Sequence, residues 1–435
     1  MNPRAAANGK AQPMAPLPVP PSDSGHANGL VTVELVGAHD LTAAHRRAWQ
    51  KLADHALDPN VFYEPAFALA ALEHLPGMAS VRLGFVWHGA AEDGMLCAVI
   101  PIELQRRWPL CCRAAVGWRH PFAVLTNPLL APGSEEMALG AFLDHLAHLR
   151  GTPRYVIWPL LADANAAAQA ISQFAKALGR QTFVVSGSQR AVLNCHQAVG
   201  FLEGITAKRR KEMRRQRRRL AESGDVAHLT ATDGEELERA VEEFLGLEAL
   251  GWKGRAGTAA RQDKGTAAFL RAAVMGLSEV SKTRVDSLLV CGRLVASTVT
   301  LRSGTSGSLW KIAHDEAHAS QAPGIQLLWD VSEALASDRS FTAIDSCAVE
   351  GHRVIESLWA DRLSLADRLV FVRAGEARMV VRLCIASERV RRHLREQARK
   401  IYDIGRSTLR RLVGTRASRR ATPASTPPLK RGADR

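Results

Sequence analysis

The triplet Ala-Pro-Gly occurs twice, at 131–133 and at 322–324, and the same order of elements surrounds it each time. Apolar and β-branched residues at RYVIWPLL and QTFVVSG, with helical spacing at Leu139, Phe142, Leu143 and Leu146, predict strand, turn, helix, strand, helix, strand in the first half. The second half repeats that order with GSLWKIAHD before the turn, then a helix, FTAIDSCAV, a short helix at His352–Trp359 and LADRLVFV. Such a repeat restricts the chain to two α/β units built alike. With 435 residues, 46% of them hydrophobic and 23% charged, there is enough chain for a core in each.

The two turns differ in charge. Ser134-Glu135-Glu136 follows the first, so two carboxylates satisfy that helix dipole and repel an anion. Ile325-Gln326-Leu327 follows the second, and no acidic residue stands in the first helical turn. Pro323 suits the first helical position, Gly324 permits close approach to the backbone, and the N–H groups of Gly324, Ile325 and Gln326 are expected to face outward toward a phosphate. Along the helix that follows, Gln326, Asp330, Glu333 and Ser337 form one polar stripe in apolar surroundings.

A net charge of +14 favours an anionic partner, whether nucleic acid, membrane surface, nucleotide-bearing cofactor or acidic substrate. The seven cysteines include no C-x-x-C pair, which argues against a disulfide framework and for a cytoplasmic protein. No apolar run reaches the roughly 18 residues of a membrane span. The first 29 residues, rich in Pro, Ala and Gly, read as a disordered arm.

The turn Gln321-x-x-Gly324-x-Gln326 resembles the pyrophosphate loop Q/R-x-x-G-x-G/A of GNAT acyltransferases, departing from it at Gln326, where small residues are usual. Longer stretches, NVFYEPAFALAAL, EALGWKGRAGTA, LWKIAHDEAHASQAPGIQLLWDV and IDSCAVEGHRVIESLWADR, are similar to the BioF2-like, CelD/BcsL-type branch, linked to cellulose and other polysaccharide synthesis. The resemblance runs from about Val31 to Arg373. It implies two tandem GNAT-like units with mixed, mostly antiparallel sheets flanked by helices, as in Fem peptidyltransferases. The expected divisions are the arm to 29, a degenerate unit over 30–203, a unit with the acyl-CoA site over 204–388, and a basic helix with a disordered tail over 389–435.

It further implies acyl transfer, with acetyl-CoA or another acyl-CoA as co-substrate held by Gln321, Gly324, Ile325 and Gln326. The acceptor would be an amine- or hydroxyl-bearing small molecule or polysaccharide precursor. The strand GSLWKIAHD would offer backbone N–H groups to the thioester carbonyl, with Lys311 and Asp315, or His314 and Glu316, meeting the acceptor. Asp345, Ser346 and His352 end the strand after the cofactor helix. GNAT enzymes often protonate the leaving thiolate with a tyrosine in the next helix, which is absent here, so the acid is expected to be His352, the Ser346 hydroxyl or water. Cys347 reads more readily as a small buried apolar group than as a nucleophile. HDEAH lacks the H-E-x-x-H order and a third ligand, so no metal is expected.

The segment KRRKEMRRQRRR forms a helix charged on nearly every face, with Ile205, Met213 and Leu220 as a sparse apolar seam. It reads as a solvated helix or as a contact, through Arg214 and Arg215, for an acidic acceptor or the CoA phosphates. No aromatic residues interleave to stack bases, which argues against nucleic acid. Trp252 and Lys253, near a flexible turn, suit a sugar or nucleotide, or plain packing. The basic segment from Arg389 suits an anionic membrane surface or polymer. Two rival functions stand beside acyl-CoA transfer: a Fem-like transferase using aminoacyl-tRNA, and a non-catalytic module binding nucleic acid or an anionic polymer.

Overall fold

The computed structural model describes residues 31–107, 112–195, 205–395 and 397–398. The N-terminal arm and the tail beyond 398 lie outside the described residues, as does the expected boundary at 203/204. In the first half the strands are β1 (Val31–Val36), β2 (Val81–His88), β3 (Met95–Arg107), β4 (Cys112–Gly117), β5 (Leu129–Leu130), β6 (Tyr155–Ala162) and β7 (Thr182–Asn194). The helices are α1 (Ala43–His55), α2 (Pro65–His74), α3 (Glu135–His148) and α4 (Ala166–Ala177). The second half contains α5 (Ala207–Glu222), β8 (Val226–Ala231), α6 (Gly234–Leu250), α7 (Trp252–Arg255), α8 (Lys264–Ser278), β9 (Thr283–Val290), β10 (Arg293–Ser303) and β11 (Ser306–His314). There follow α9 (Pro323–Ser337), β12 (Ala343–Asp345), α10 (Arg353–Glu356), β13 (Asp361–Phe371) and a helix α11 over 378–395.

All thirteen strands among the described residues join one sheet, in the order β1-β2-β3-β4-β6-β13-β7-β12-β11-β10-β9-β8, with β5 paired to β3. Two pairings are parallel, β4 with β6 and β11 with β12, one in each half. The centre shows how the repeat is assembled: each half sends its last strand into the other. β13 pairs with β6 of the first half, and β7 pairs with β12 of the second. The two exchanged strands run antiparallel over a long register, from Asp361↔Val192 to Val370↔Thr182.

The cores follow the exchange. Val370 and Val372 complete the apolar layer under α3 and α4, whereas Ala191 and Leu193 complete the layer under α9. The expectation of a separate core in each unit is therefore corrected. A third and larger cluster belongs to both halves, with Phe67 of α2 edge-on to Phe269 of α8 and to Trp310 of β11 at centroid distances of 5.3 and 5.4 Å.

Local signals explain the helix starts that shape the site. Thr206 caps α5 by accepting the Arg209 N–H at 3.3 Å, and Pro323 opens α9 without an N–H to leave unpaired. α11 begins earlier than the sequence reading placed it, because Val381, Cys384, Ser387 and Glu388 bury one face against the sheet. Tyr155 donates to Glu388 at 2.7 Å, and Arg107 lies 3.2 Å from the same carboxylate.

Candidate active site

A bulge in β11 starts the site. Its register with β10 steps from Thr300↔Leu309 to Val299↔Lys311, leaving Trp310 as the extra residue. A bulge re-aims side chains, and here Trp310 and Lys311 meet the same aromatic ring. The Lys311 ammonium lies 4.5 Å from the Phe122 ring centre and 5.3 Å from that of Trp310. The Trp310 indole donates to the Phe122 carbonyl at 2.9 Å, so a first-half loop is tied to a second-half strand. Beyond Ser308 the pairing between β11 and β12 ends with β12 itself at Asp345, while β11 continues to His314.

Burial pushes the Lys311 amine down to about 8, the positive Lys253 adding to that effect and the negative Glu248 opposing it. Glu248 itself is 4% exposed, accepting the Ala260 N–H at 2.8 Å and pairing with Lys253 at 2.6 Å. Burial pushes its carboxyl up, but Lys311, Lys253 and these hydrogen bonds outweigh that and hold it below the usual range. Such an arrangement holds one negative and two positive groups, with one amine able to lose its proton near neutral pH.

Glu248 and Lys253 line a narrow cleft with Leu247, Trp252, Ile312 and His314. Its wall depends on Gly254, where a Cβ would stand 1.7 Å from the Ala249 carbonyl oxygen; only glycine lets α7 fold back on the end of α6. Glu316 clamps that wall to the turn after β11. It accepts the Trp252 N–H at 2.7 Å and pairs with Arg255. Glu316, expected to meet an acceptor, is thus a strut. Asp315 pairs with His318 at 3.2 Å and Arg293 at 3.3 Å, and its carboxylate caps the turn through the Ala317 N–H at 2.9 Å.

The expected phosphate turn takes a specific form. Ala322 adopts the left-handed conformation (φ 50°), and its carbonyl accepts both the Ile325 N–H at 3.0 Å and the Gln326 N–H at 3.1 Å. The expectation of three outward N–H groups is corrected: two of them are bonded inside the helix. Gly324 is buried against His314, whose ring would lie 3.3 Å from an added Cβ. Gln321 lies in the turn just before α9, where its side chain accepts from Ser320 at 2.8 Å.

Gln326 turns its side chain to α5, donating to the Met213 carbonyl at 3.1 Å, and Asp330 pairs with Arg217. These contacts, one turn apart on both helices, set α5 and α9 parallel and in step, with their N-termini at the same end. Among the described residues Arg209, in the first turn of α5, has a buried Nε with no hydrogen-bond partner. Arg215 is already paired with Glu212 at 2.8 Å, and Arg214 is exposed, reaching only its own helix at Arg210.

Asp345, Ser346 and His352 are not brought together as an acid–base set. Asp345 is buried in an ion pair with Arg190 of β7 and accepts the Cys347 N–H at 2.9 Å. Ser346 is buried and accepts the Ala348 N–H at 3.3 Å, whereas His352 is exposed at the start of α10. Burial pushes the Cys347 thiol up, away from a nucleophilic thiolate. Sequence reasoning missed Glu248, Arg190, Arg209 and Phe122. Only Arg209 carried a visible signal, as the first-turn arginine of a basic helix.

Residues 207–354 match the family model of the GNAT acetyltransferase domain. Over 76% of this chain and 96% of its own length, the crystal structure of FemX superposes with a TM-score of 0.52 at 9% identity. A C-terminal domain of a putative lysylphosphatidylglycerol synthetase from Agrobacterium fabrum covers 77% of this chain and 93% of its own, at 9% identity and a TM-score of 0.46. No curated protein matches the chain. Residues 207–354 are thus similar to a GNAT acetyltransferase domain, and the chain as a whole shares the fold of FemX. The matching model describes the GNAT domain in general.

Proposed function

We propose that the chain is a GNAT-type acyltransferase that moves an acyl group from acyl-CoA to an amine, with Lys311 as the base. The observation that carries this reading is the bulge that sets Lys311 over the Phe122 ring and within reach of the buried Glu248 carboxylate. An acceptor ammonium must lose a proton before it attacks a thioester carbonyl. The free amine of Lys311 takes that proton, and the ammonium formed is stabilised by Glu248 and by the faces of Phe122 and Trp310. The nitrogen then bonds to the carbonyl carbon and gives up its surplus proton to water, the carbon–sulfur bond breaks, and the thiolate leaves to take a proton from water in turn, so that amide and free thiol are formed. The donor's phosphates are assigned to the shared end of α5 and α9, where the Gly324 N–H, the helix dipoles and Arg209 meet.

One observation favours a second donor. The outer face of α5 presents Lys208, Lys211, Arg214 and Arg218 to solvent, a strip suited to the backbone of an aminoacyl-tRNA. The deciding experiment incubates the protein with a pool of primary amines and either acetyl-CoA or charged tRNA, following free thiol, deacylated tRNA and new amides by mass spectrometry. Amide formation with thiol release supports acyl-CoA; amide formation only from charged tRNA replaces it with the Fem-like reading. No amide from either donor overturns the catalytic assignment.

A further inference from the structure

The helix α11 is apolar on two opposite faces. One, with Val381 and Cys384 at 5% and 1% exposure, is packed on the sheet. The other carries Met379, Leu383, Val390 and Leu394, which are 74%, 45%, 49% and 52% exposed. Their spacing places all four within a narrow sector of a helix, with the exposed Ala386 between them. Arg378, Arg382 and Arg389, also exposed, follow the same spacing and form a column along one side of the stripe. The lone acidic residue in 378–395 is Glu388, which is buried on the inner face by Arg107 and Tyr155.

An exposed apolar stripe beside a column of arginines, on a helix whose other face is fixed to the fold, matches an anionic lipid surface. The stripe enters the acyl boundary while the guanidinium groups meet lipid phosphates. A second copy of the chain fits less well, because symmetric pairing of this face would bring the arginine columns together. The sequence that follows, residues 399–435, is itself rich in Lys and Arg. We infer that α11 docks the protein on anionic membranes through Met379, Leu383, Val390 and Leu394, with Arg378, Arg382 and Arg389 reading the headgroups.

The test is co-sedimentation of the full chain with vesicles of phosphatidylcholine alone and of phosphatidylcholine mixed with phosphatidylglycerol. Two variants accompany the wild type, Leu383→Gln with Val390→Gln, and Arg378→Ser with Arg382→Ser and Arg389→Ser. All five side chains are exposed, so both variants should unfold at the wild-type temperature. Wild type should bind the anionic vesicles and not the neutral ones, and each variant should bind about tenfold or more weakly. Absence of wild-type binding overturns the proposal. So does unchanged binding by the glutamine variant, which would assign the attraction to the tail's charge alone. A wild-type dimer in sedimentation, dissociated by the glutamine changes and indifferent to vesicles, would give the stripe to a second copy instead.

Discussion

Arg190 of β7 and Asp345 of β12 form an ion pair whose side chains are 4% and 9% exposed, at the seam where one half lends its last strand to the other. Arg190 also donates to the Val124 carbonyl at 3.2 Å, which holds the loop that carries Phe122. A single pair thus ties the exchanged strand, the strand before α10 and the loop beneath Lys311.

Removing one partner leaves the other charged and buried. Arg190→Met or Asp345→Leu alone should therefore destabilise the fold by about 3–5 kcal/mol, whereas the double variant should recover much of that loss. Urea unfolding of the two single variants and the double variant checks the coupling. Additive losses would show that the pair does not act as a unit.

Lys311 gives a pH signature with a defined sign. Its folded amine titrates at about 8, below its ordinary 10.5, so between those values the unfolded chain binds the extra proton and stability rises with pH. Activity should rise through about pH 8 as the free base appears. In Lys311→Met both features should vanish, with turnover falling at least about 100-fold and the fold retained. A wild-type pH profile in the methionine variant would remove Lys311 from the chemistry.

His120 sits in the aromatic cluster shared by the two halves, 5% exposed, with neither ring nitrogen hydrogen-bonded among the described residues. Burial pushes it down to about 3, so it is neutral in the fold while the unfolded imidazole titrates near 6.5. Stability should be lost as pH falls from 6.5 toward 3, by on the order of a few kcal/mol from this group. His120→Leu should flatten that acid limb in thermal scans taken across the range. An unchanged slope would mean that other groups set the acid sensitivity.

The repeated strand-turn-helix order was legible because apolar periodicity and proline mark it directly. So was the polar stripe on α9, which proves to be the side facing α5, where Gln326 meets Met213 and Asp330 meets Arg217. The exchanged strands were only half legible. The expected strand QTFVVSG ends at Gly187, yet β7 continues through Ser188-Gln189-Arg190 to Asn194, where its partners come from the other half of the chain. FTAIDSCAV reads as a full strand, yet β12 stops at Asp345 and Cys347 takes a left-handed turn (φ 53°). Nothing in the sequence marks Glu248 out from the other glutamates of α6. Its role depends on Lys253 and Lys311, which only tertiary packing brings to it.

The central claim is that an acyl-CoA donor lies with its phosphates at the common end of α5 and α9 and its thioester toward Lys311. Gly324→Glu and Gly133→Glu are poor matched probes, because His314 crowds the first and the second has a positive φ of 78°. Arg209→Glu reverses charge in the first turn of a capped helix and leaves Gly324 untouched. Calorimetric titration with CoA is the direct measurement, made on wild type, Arg209→Glu and Lys311→Met. Wild type and Lys311→Met should bind CoA alike, and Arg209→Glu should bind at least about tenfold more weakly. Equal affinity in all three, or no CoA binding by a folded wild type, would contradict the account.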